Sequence, residues 1–320
     1  MKQAIGGYFE LELNTRALFH KDALALNSGR SAFEYVILAN SYKKVYVPYF
    51  TCDVLLQPLV RNNIIYEFYT INERLEPVFY FEKLQPMEAF LYTNYFGLKD
   101  NYVLQITSRY SNIIIDNSQS FFSKPQNGAD TFYSPRKFFG LPDGGYVYCK
   151  NHLAIDLEED KTSIDRMEHL LKRLAFDAEM GYEDFKRNDE SLHGQPILLM
   201  SQLTKKLLAG IDYTAVKKRR AENFDLLHKL LKKSNKLSIL IDDLNVPASF
   251  DYPYWVNNGK DLRKRLRSKR VFTPIYWQNV LSSRVKNSTE VDLVNNVVHL
   301  PIDQRYNKKE IERIIACISG

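Results

Sequence analysis

The sequence contains little cysteine and no long apolar run. Its three cysteines, Cys52, Cys149 and Cys317, are odd in number and far apart. Their spacing therefore predicts neither a disulfide framework nor a zinc site. No apolar run approaches the roughly 20 residues that cross a bilayer, and the start MKQAIGGYFELEL lacks the apolar h-region of a signal peptide. We therefore expect a protein of the reducing cytoplasm.

The composition, 45% hydrophobic and 13% aromatic, is typical of an ordered globular protein. Much of the net charge of +6 lies in VKKRRAENFDLLHKLLKK and in LRKRLRSKR, Leu262 to Arg270. In the first stretch Phe224, Leu227 and Leu231 recur at helical spacing, which favours an amphipathic helix with a basic solvated face. The alternative is a basic rim that attracts an anionic substrate or nucleic acid. No RNA-binding or helix-turn-helix signature supports nucleic acid.

Residues 30–150 alternate between short apolar strand patterns and helical stretches. This rhythm predicts βα units and a mostly parallel sheet between helices, with ligands at the carboxyl ends of its strands. The predicted strands are KVYVPYF, IIYEFY, EAFLYTNYF, NIIID and GYVYC.

The pattern changes after about residue 155. Residues 157–208 are predicted to be strongly helical, and a long helix follows from about Thr214 to Lys233. The strand candidates LSILIDDL, PYWVNN, RVFTPIYW and VVHLPID come next, and the helix NKKEIERIIACI closes the chain. We predict an α/β fold with a large domain over residues 1–207 and a small α+β domain over residues 208–320.

Two short segments are candidates for ligand binding. Asp116 ends the strand NIIID and would lie at the carboxyl edge of the sheet, although a turn or helix-cap aspartate is the simpler explanation of this residue taken alone. In NSGRSAFEYVI, the residues Gly29, Arg30 and Ser31 open an apolar helix. Such a helix start suits a phosphate, and it also suits plain capping.

Lys137 stands in YSPRKFFGLPDGG, between Ser134 and a glycine pair. Crowding by Phe138 and Phe139 would remove water from the amine, lower its pKa and make it a nucleophile toward carbonyls. The alternative is a surface lysine whose stem lies on aromatic rings.

The order of these features resembles the DegT/DnrJ/EryC1/StrS family of sugar aminotransferases, which have the aspartate-aminotransferase fold and use pyridoxal 5'-phosphate. The likeness spans most of the chain. It rests on LNSGRSAFEYVI, VYVPYFTCDVLLQPL, YTNYFGLKD, IIIDNSQSFFS, SPRKFFGLPDGG, VKKRRAENF and VVHLPIDQRYNKKEIERI.

The resemblance implies a role for each site residue. Lys137 is the expected Schiff-base lysine, Asp116 the partner of the pyridinium nitrogen, and Gln119 a hydrogen-bond partner of the phenolic oxygen. The phosphate is expected at Gly29, Arg30, Ser31 and Ser134.

The sequence also departs from the family pattern. Relatives commonly have a serine where this chain has Phe132, and an aromatic over the cofactor ring where it has Cys52. The ring-face contact is therefore expected from Cys52, Tyr95 or Phe50. The asparagine by which relatives contact the partner subunit's cofactor is not evident near Leu198 to Ser201.

The resemblance implies an aminotransferase that moves an amino group, with glutamate as a plausible donor, to a nucleotide-linked keto sugar in surface polysaccharide or related glycan biosynthesis. A homodimer is expected, and no nucleic acid partner, membrane span or metal site. The alternative is a cofactor-binding or sugar-nucleotide-binding protein of the same fold that has lost catalysis.

Overall fold

A computed structural model describes the chain over residues 5–242, 248–283 and 288–319. Its strands are β1 (Leu24–Leu26), β2 (Lys44–Pro48), β3 (Ile65–Ile71), β4 (Pro77–Val78), β5 (Glu88–Thr93), β6 (Ile113–Asp116), β7 (Asp130–Tyr133), β8 (Gly145–Tyr148), β9 (Tyr252–Trp255) and β10 (Val297–Leu300). Its helices are α1 (Gly29–Ala39), α2 (Leu56–Arg61), α3 (Asp100–Arg109), α4 (Glu168–Ala175), α5 (Tyr182–Ser191), α6 (Gln202–Ala209), α7 (Tyr213–Leu231), α8 (Ser238–Asp242), α9 (Gly259–Ser268), α10 (Thr289–Asn296) and α11 (Lys308–Ser319).

The large sheet has eight strands in the order β1-β8-β7-β6-β5-β2-β3-β4. Its centre, β7-β6-β5-β2-β3, is parallel, and the strands at both edges are antiparallel. All four residues of β6 are buried, as expected for a strand covered on both faces. The prediction of a mostly parallel sheet between helices is confirmed, and GYVYC forms an antiparallel strand within it.

The two faces of the large sheet pack against different helices. On one face Phe33 and Val36 of α1 join Leu91 and Ile114 in one apolar cluster. On the other face Ile113 and Ile115 belong to a cluster that continues through Leu227 of α7 to Ile311 and Ile314 of α11. The sheet therefore separates two apolar clusters, and helices pack against both of its faces.

A second, two-stranded sheet pairs β9 with β10 in antiparallel fashion. It packs with α7, α9 and α11, as expected for a small α+β unit, while the boundary at residues 207 and 208 remains a prediction. In α7 the side chains of Phe224, Leu227 and Leu231 are buried, so the basic stretch is the polar face of an amphipathic helix. Arg220 is the exception, because it is buried and donates to the carbonyls of Ser249 and Phe250.

Three sequence predictions need correction. RVFTPIYW is irregular rather than a strand: Pro274 offers no N–H to a ladder, and Trp277 has a left-handed φ of 54°. LSILIDDL contains the helix α8, and its residues 243 and 244 lie outside the described part. The helical stretch 157–208 is broken into α4, α5 and α6, with an irregular segment around Gly194 and Pro196.

Among the residues that the structure describes, no helix is long and apolar enough to cross a membrane.

A close backbone contact joins the start of α1 to β8. The N–H of Gly144 donates to the carbonyl of Asn27 at 2.7 Å, and Gly144 has a φ of +131°. A Cβ on Gly145 would lie 2.1 Å from the carbonyl oxygen of Ser28. Only glycine permits this approach, which fixes the first turn of α1 beside the strand that follows Lys137.

We expect Gly145→Ala to lower the free energy of unfolding by about 2 kcal/mol or more, because the added methyl must push two backbone segments apart. Gly140→Ala is the matched control, since its Cβ would meet only the flexible Leu170 side chain at 3.2 Å. Denaturant titration of both variants measures the difference. Equal losses in the two variants would contradict the assigned contact.

Candidate active site

Most of the predicted site residues follow parallel strands of the large sheet, so they meet at its carboxyl edge. Cys52 follows β2, Tyr95 follows β5, Asp116 ends β6, and the turn Pro135–Lys137 follows β7. The start of α1 is held at the same edge by its contact with Gly144 and Gly145.

Asp116 is buried, with 5% of its surface exposed, and its Oδ1 accepts from the backbone N–H of Ser118 at 2.8 Å. Burial raises the pKa of this carboxyl group, while the positive charge of Lys137 and the hydrogen bond from Ser118 oppose the rise. The ionised carboxylate therefore needs a cationic partner in this position. A protonated ring nitrogen would be such a partner.

Lys137 ends a short 3₁₀ turn, and its backbone N–H donates to the carbonyl of Ser134 at 3.2 Å. Its side chain is exposed. The expected crowding by Phe138 and Phe139 is wrong, because both rings turn inward and join Phe121 in a buried aromatic cluster. The charge of Lys137 opposes the rise in the pKa of both Asp116 and Cys52, so its amine lies within electrostatic range of these two groups.

The start of α1 gathers the expected phosphate ligands. Ser28 caps the helix by accepting from the N–H of Ser31 at 3.0 Å, and the two hydroxyl oxygens lie 2.9 Å apart. A Cβ on Gly29 would lie 3.2 Å from the Cβ of Ser134 and 3.7 Å from the Oγ of Ser118. Capping and phosphate binding are therefore compatible here, since first-turn N–H groups have no partner within the helix.

Arg30 extends from this helix start toward the segment after α5, where its Nη1 donates to the carbonyl of Leu192 at 2.6 Å. Its Nε is buried without a partner among the described residues. Burial lowers the pKa of its guanidinium, and the charge of Asp189 opposes this. Neither Asp189 nor Ser118 could be predicted beside the start of α1, because neither belongs to a sequence motif with it.

Gln119 offers a buried donor with no partner. Its side chain is 1% exposed, and its Oε1 accepts from the N–H of Phe96 at 3.1 Å. That bond fixes the amide, so that Nε2 remains buried without a hydrogen bond among the described residues. Such a group costs about 1–3 kcal/mol when unpaired. A cofactor oxygen in this position would satisfy it.

The three candidates for the ring-face contact differ in burial. Tyr95 is fully buried, donates its hydroxyl to the carbonyl of Phe50 at 2.9 Å, and packs against Trp277. Phe50 is also buried and packs edge-on against Trp277. Cys52 is half-buried and keeps accessible surface. Burial raises the pKa of its thiol, so Cys52 presents a neutral, polarisable side chain to the site.

These observations fit a pyridoxal phosphate site. The buried Asp116 suits a cationic ring nitrogen, the unpaired amide of Gln119 suits a phenolic oxygen, and the start of α1 suits a phosphate. Within the described ranges, no group of three or more His, Cys, Asp or Glu residues is arranged to hold a metal ion.

No protein-family model and no curated protein matches the sequence. Solved structures do match it. A DegT DnrJ EryC1 StrS aminotransferase from Brucella abortus is 16% identical over 93% of this chain and 85% of its own, with a TM-score of 0.59. PseC of Helicobacter pylori, an aminotransferase involved in the biosynthesis of pseudoaminic acid, is 13% identical over 93% of this chain and 85% of its own, with a TM-score of 0.61.

A third structure is NtdA of Bacillus subtilis with the bound cofactor PMP. It is 15% identical over 93% of this chain and 73% of its own, with a TM-score of 0.61. The chain has the fold of the sugar aminotransferases. This fold confirms the predicted mostly parallel α/β architecture.

The burial of Asp116 predicts the pH dependence of stability. Because the pKa of Asp116 is raised in the folded protein, stability is lost as pH rises through that pKa. We expect cofactor-free Asp116→Asn to unfold at a higher temperature than the unsubstituted protein at about pH 7.5, since asparagine keeps the acceptor for Ser118 without the charge. The difference should shrink toward about pH 4. Thermal unfolding followed by circular dichroism measures both values.

Asp143→Asn is the matched control. This fully buried carboxylate accepts from the N–H of Ser201 at 2.9 Å and from the hydroxyls of Ser163, Ser201 and Thr204. An amide there loses an acceptor, so this variant should unfold at a lower temperature. A lower unfolding temperature for Asp116→Asn at about pH 7.5 would contradict the predicted cost of its charge.

Proposed function

We propose that the protein is a pyridoxal-phosphate-dependent aminotransferase. Its substrate is a nucleotide-linked keto sugar, its amino donor is glutamate, and its product enters surface polysaccharide or a related glycan. The observation that carries the proposal is the meeting of Asp116, Lys137 and the unpaired amide of Gln119 at one sheet edge. The structural relatives described as sugar aminotransferases support the substrate class.

Each residue has a task that follows from its surroundings. When bound, the cofactor's ring supplies an electron sink for the carbon that loses a proton. Asp116 would hold the ring nitrogen protonated, because a buried carboxylate and a pyridinium stabilise each other. Gln119 would donate from Nε2 to the phenolic oxygen. Lys137 would hold the cofactor and, as a free amine, move the proton as general base and acid.

The phosphate would lie at the start of α1. Backbone N–H groups of Gly29 and Arg30 would donate to it, together with the hydroxyls of Ser31 and Ser134. Cys52 would contact the ring face. We place the protein in the cytoplasm, where its three free cysteines would remain reduced.

A second candidate function is a binding protein of the same fold without catalysis. It is favoured by Phe132, which occupies the position of a serine in relatives and is fully buried against Phe33. It is also favoured by Cys52, which replaces an aromatic. A spectroscopic experiment separates the two functions.

We expect pyridoxal phosphate to give a visible absorption band that Lys137→Ala abolishes, with glutamate then shifting the band as the cofactor accepts the amino group. Lys124→Ala, which removes an exposed lysine elsewhere, should leave the band unchanged. Borohydride reduction and peptide mass spectrometry should place the cofactor on Lys137. A lysine-dependent band that glutamate leaves unchanged would favour a cofactor-binding protein without catalysis. The absence of such a band would refute the aminotransferase and favour a sugar-nucleotide-binding protein.

We further propose a homodimer. The irregular segment 5–13 exposes five apolar side chains, of which Phe9, Leu11 and Leu13 alternate with polar residues as in a half-buried strand. Glu10 pairs with Lys206 at 2.5 Å, so the segment is tied to its own chain on the polar side. Its apolar side is free to pack on a second copy.

Light scattering after gel filtration should therefore give about twice the chain mass of 37.4 kDa. Replacing Phe9, Leu11 and Leu13 with serine should reduce the mass to one chain, because the apolar contact is lost. Glu12→Gln, on the polar side of the same segment, should remain dimeric. A single-chain mass for the unsubstituted protein would refute the dimer.

A further inference from the structure

A cleft of about 450 Å³ lies between the end of α4 with its following turn and the small-domain helices α9 and α11. Three arginines and two aromatic residues stand in its wall. We call it the arginine cleft and define it by Arg173, Arg270, Arg313, Phe272 and Tyr306.

Two of the three arginines have no acidic partner in the part of the chain that the structure describes. Arg270 forms ion pairs with Asp177 at 3.1 Å and Glu179 at 3.0 Å, which hold the two sides of the cleft together. Arg173 and Arg313 form no ion pair among the described residues; they contact the carbonyls of Phe176 at 3.4 Å and Lys269 at 2.7 Å. Their guanidinium groups remain charged at every physiological pH, so the cleft favours an anion.

The aromatic side chains favour a planar group beside that anion. Phe272 is 49% exposed, so its ring is accessible to a ligand in the cleft. Neither Phe272 nor Tyr306 packs on another aromatic ring in the described part, and Arg305 covers one face of Tyr306 at 5.3 Å from the ring centre. A nucleobase stacks on such a surface, and arginines beside it bind phosphates in a forked geometry.

The elements that form the cleft also contact residues next to the turn that carries Lys137. Gly140 lies against Leu170 of α4, with 3.2 Å between the position of its Cβ and the Leu170 side chain. From the small domain, Gln304 donates to the carbonyl of Phe138 at 2.9 Å. The irregular segment that begins with Phe272 in the cleft ends with Trp277 on Phe50 and Tyr95. Both walls of the cleft therefore reach the residues around the candidate active site.

We propose that the arginine cleft binds the nucleoside diphosphate of the substrate, with the phosphates on Arg173 and Arg313 and the base on Phe272. This inference rests on the proposed function, which requires a nucleotide-linked sugar. It assigns the nucleotide to the arginine cleft, and the sugar would then extend from the cleft toward Lys137. It also gives Arg270, the end of the basic stretch Leu262 to Arg270, a task in holding the cleft in shape.

The test is calorimetric titration of the full chain, with pyridoxal phosphate present, using uridine, guanosine and thymidine diphosphates as probes. At least one probe should bind, and Arg173→Ala and Arg313→Ala should each weaken it about tenfold or more, since a charged hydrogen bond contributes about 1.5–3 kcal/mol. Phe272→Ala should weaken it at least about fivefold. Arg267→Ala, an exposed arginine of α9 outside the cleft, should leave binding unchanged.

The cofactor band distinguishes failure of this inference from failure of the proposed function. If the band depends on Lys137 but no probe binds, or if all variants bind equally, the cleft assignment is wrong and the aminotransferase stands. Equal binding of inorganic pyrophosphate would overturn the role of Phe272 and the nucleotide. If Arg173→Ala loses both the cofactor band and probe binding, the arginine supports the fold. That result would overturn its assignment as a ligand.

Discussion

The structure depends on one backbone contact, the approach of Gly145 to the carbonyl of Ser28. Because no side chain separates the two segments, the first turn of α1 lies directly beside the strand that follows the Lys137 turn. The same contact brings Gly29 within reach of Ser134 and Ser118. The start of α1 and the turn that carries Lys137, more than 100 residues apart in the chain, thus meet at one edge of the sheet.

The central strands and the polar residues at their ends could be predicted from sequence, because buried parallel strands such as Ile113–Asp116 carry an unbroken apolar signal. The direction of Lys137 could not, since it is set by the 3₁₀ turn that points Phe138 and Phe139 inward. The burial of Tyr95 depends on Trp277, which is distant in sequence and has a left-handed conformation. The short helices of residues 157–208 were missed as separate elements because their charged surfaces gave a continuous helical pattern.

The site is electrostatically incomplete in the chain alone. Asp116 is buried with its pKa raised. The Nε2 of Gln119 has no hydrogen-bond partner among the described residues, and the side chain of Lys137 is exposed. A single ligand could interact with all three residues. Its cationic nitrogen would pair with Asp116, its oxygen would accept from Gln119, and its carbonyl would react with Lys137. Ligand binding should therefore raise the stability of the fold as well as fill the site.

The burial of helix α1 limits which substitutions its sequence can accept during evolution. Its residues Ser31 to Ile37 are all buried, so every face of the helix is in contact with its surroundings. Glu34, within this run, is held by Arg61 and Asn62. Most substitutions in such a buried helix change its packing, so few of them are neutral. The exposed faces of α4 and α5 tolerate many substitutions. We therefore expect the sequence of α1 to diverge more slowly than the sequences of α4 and α5.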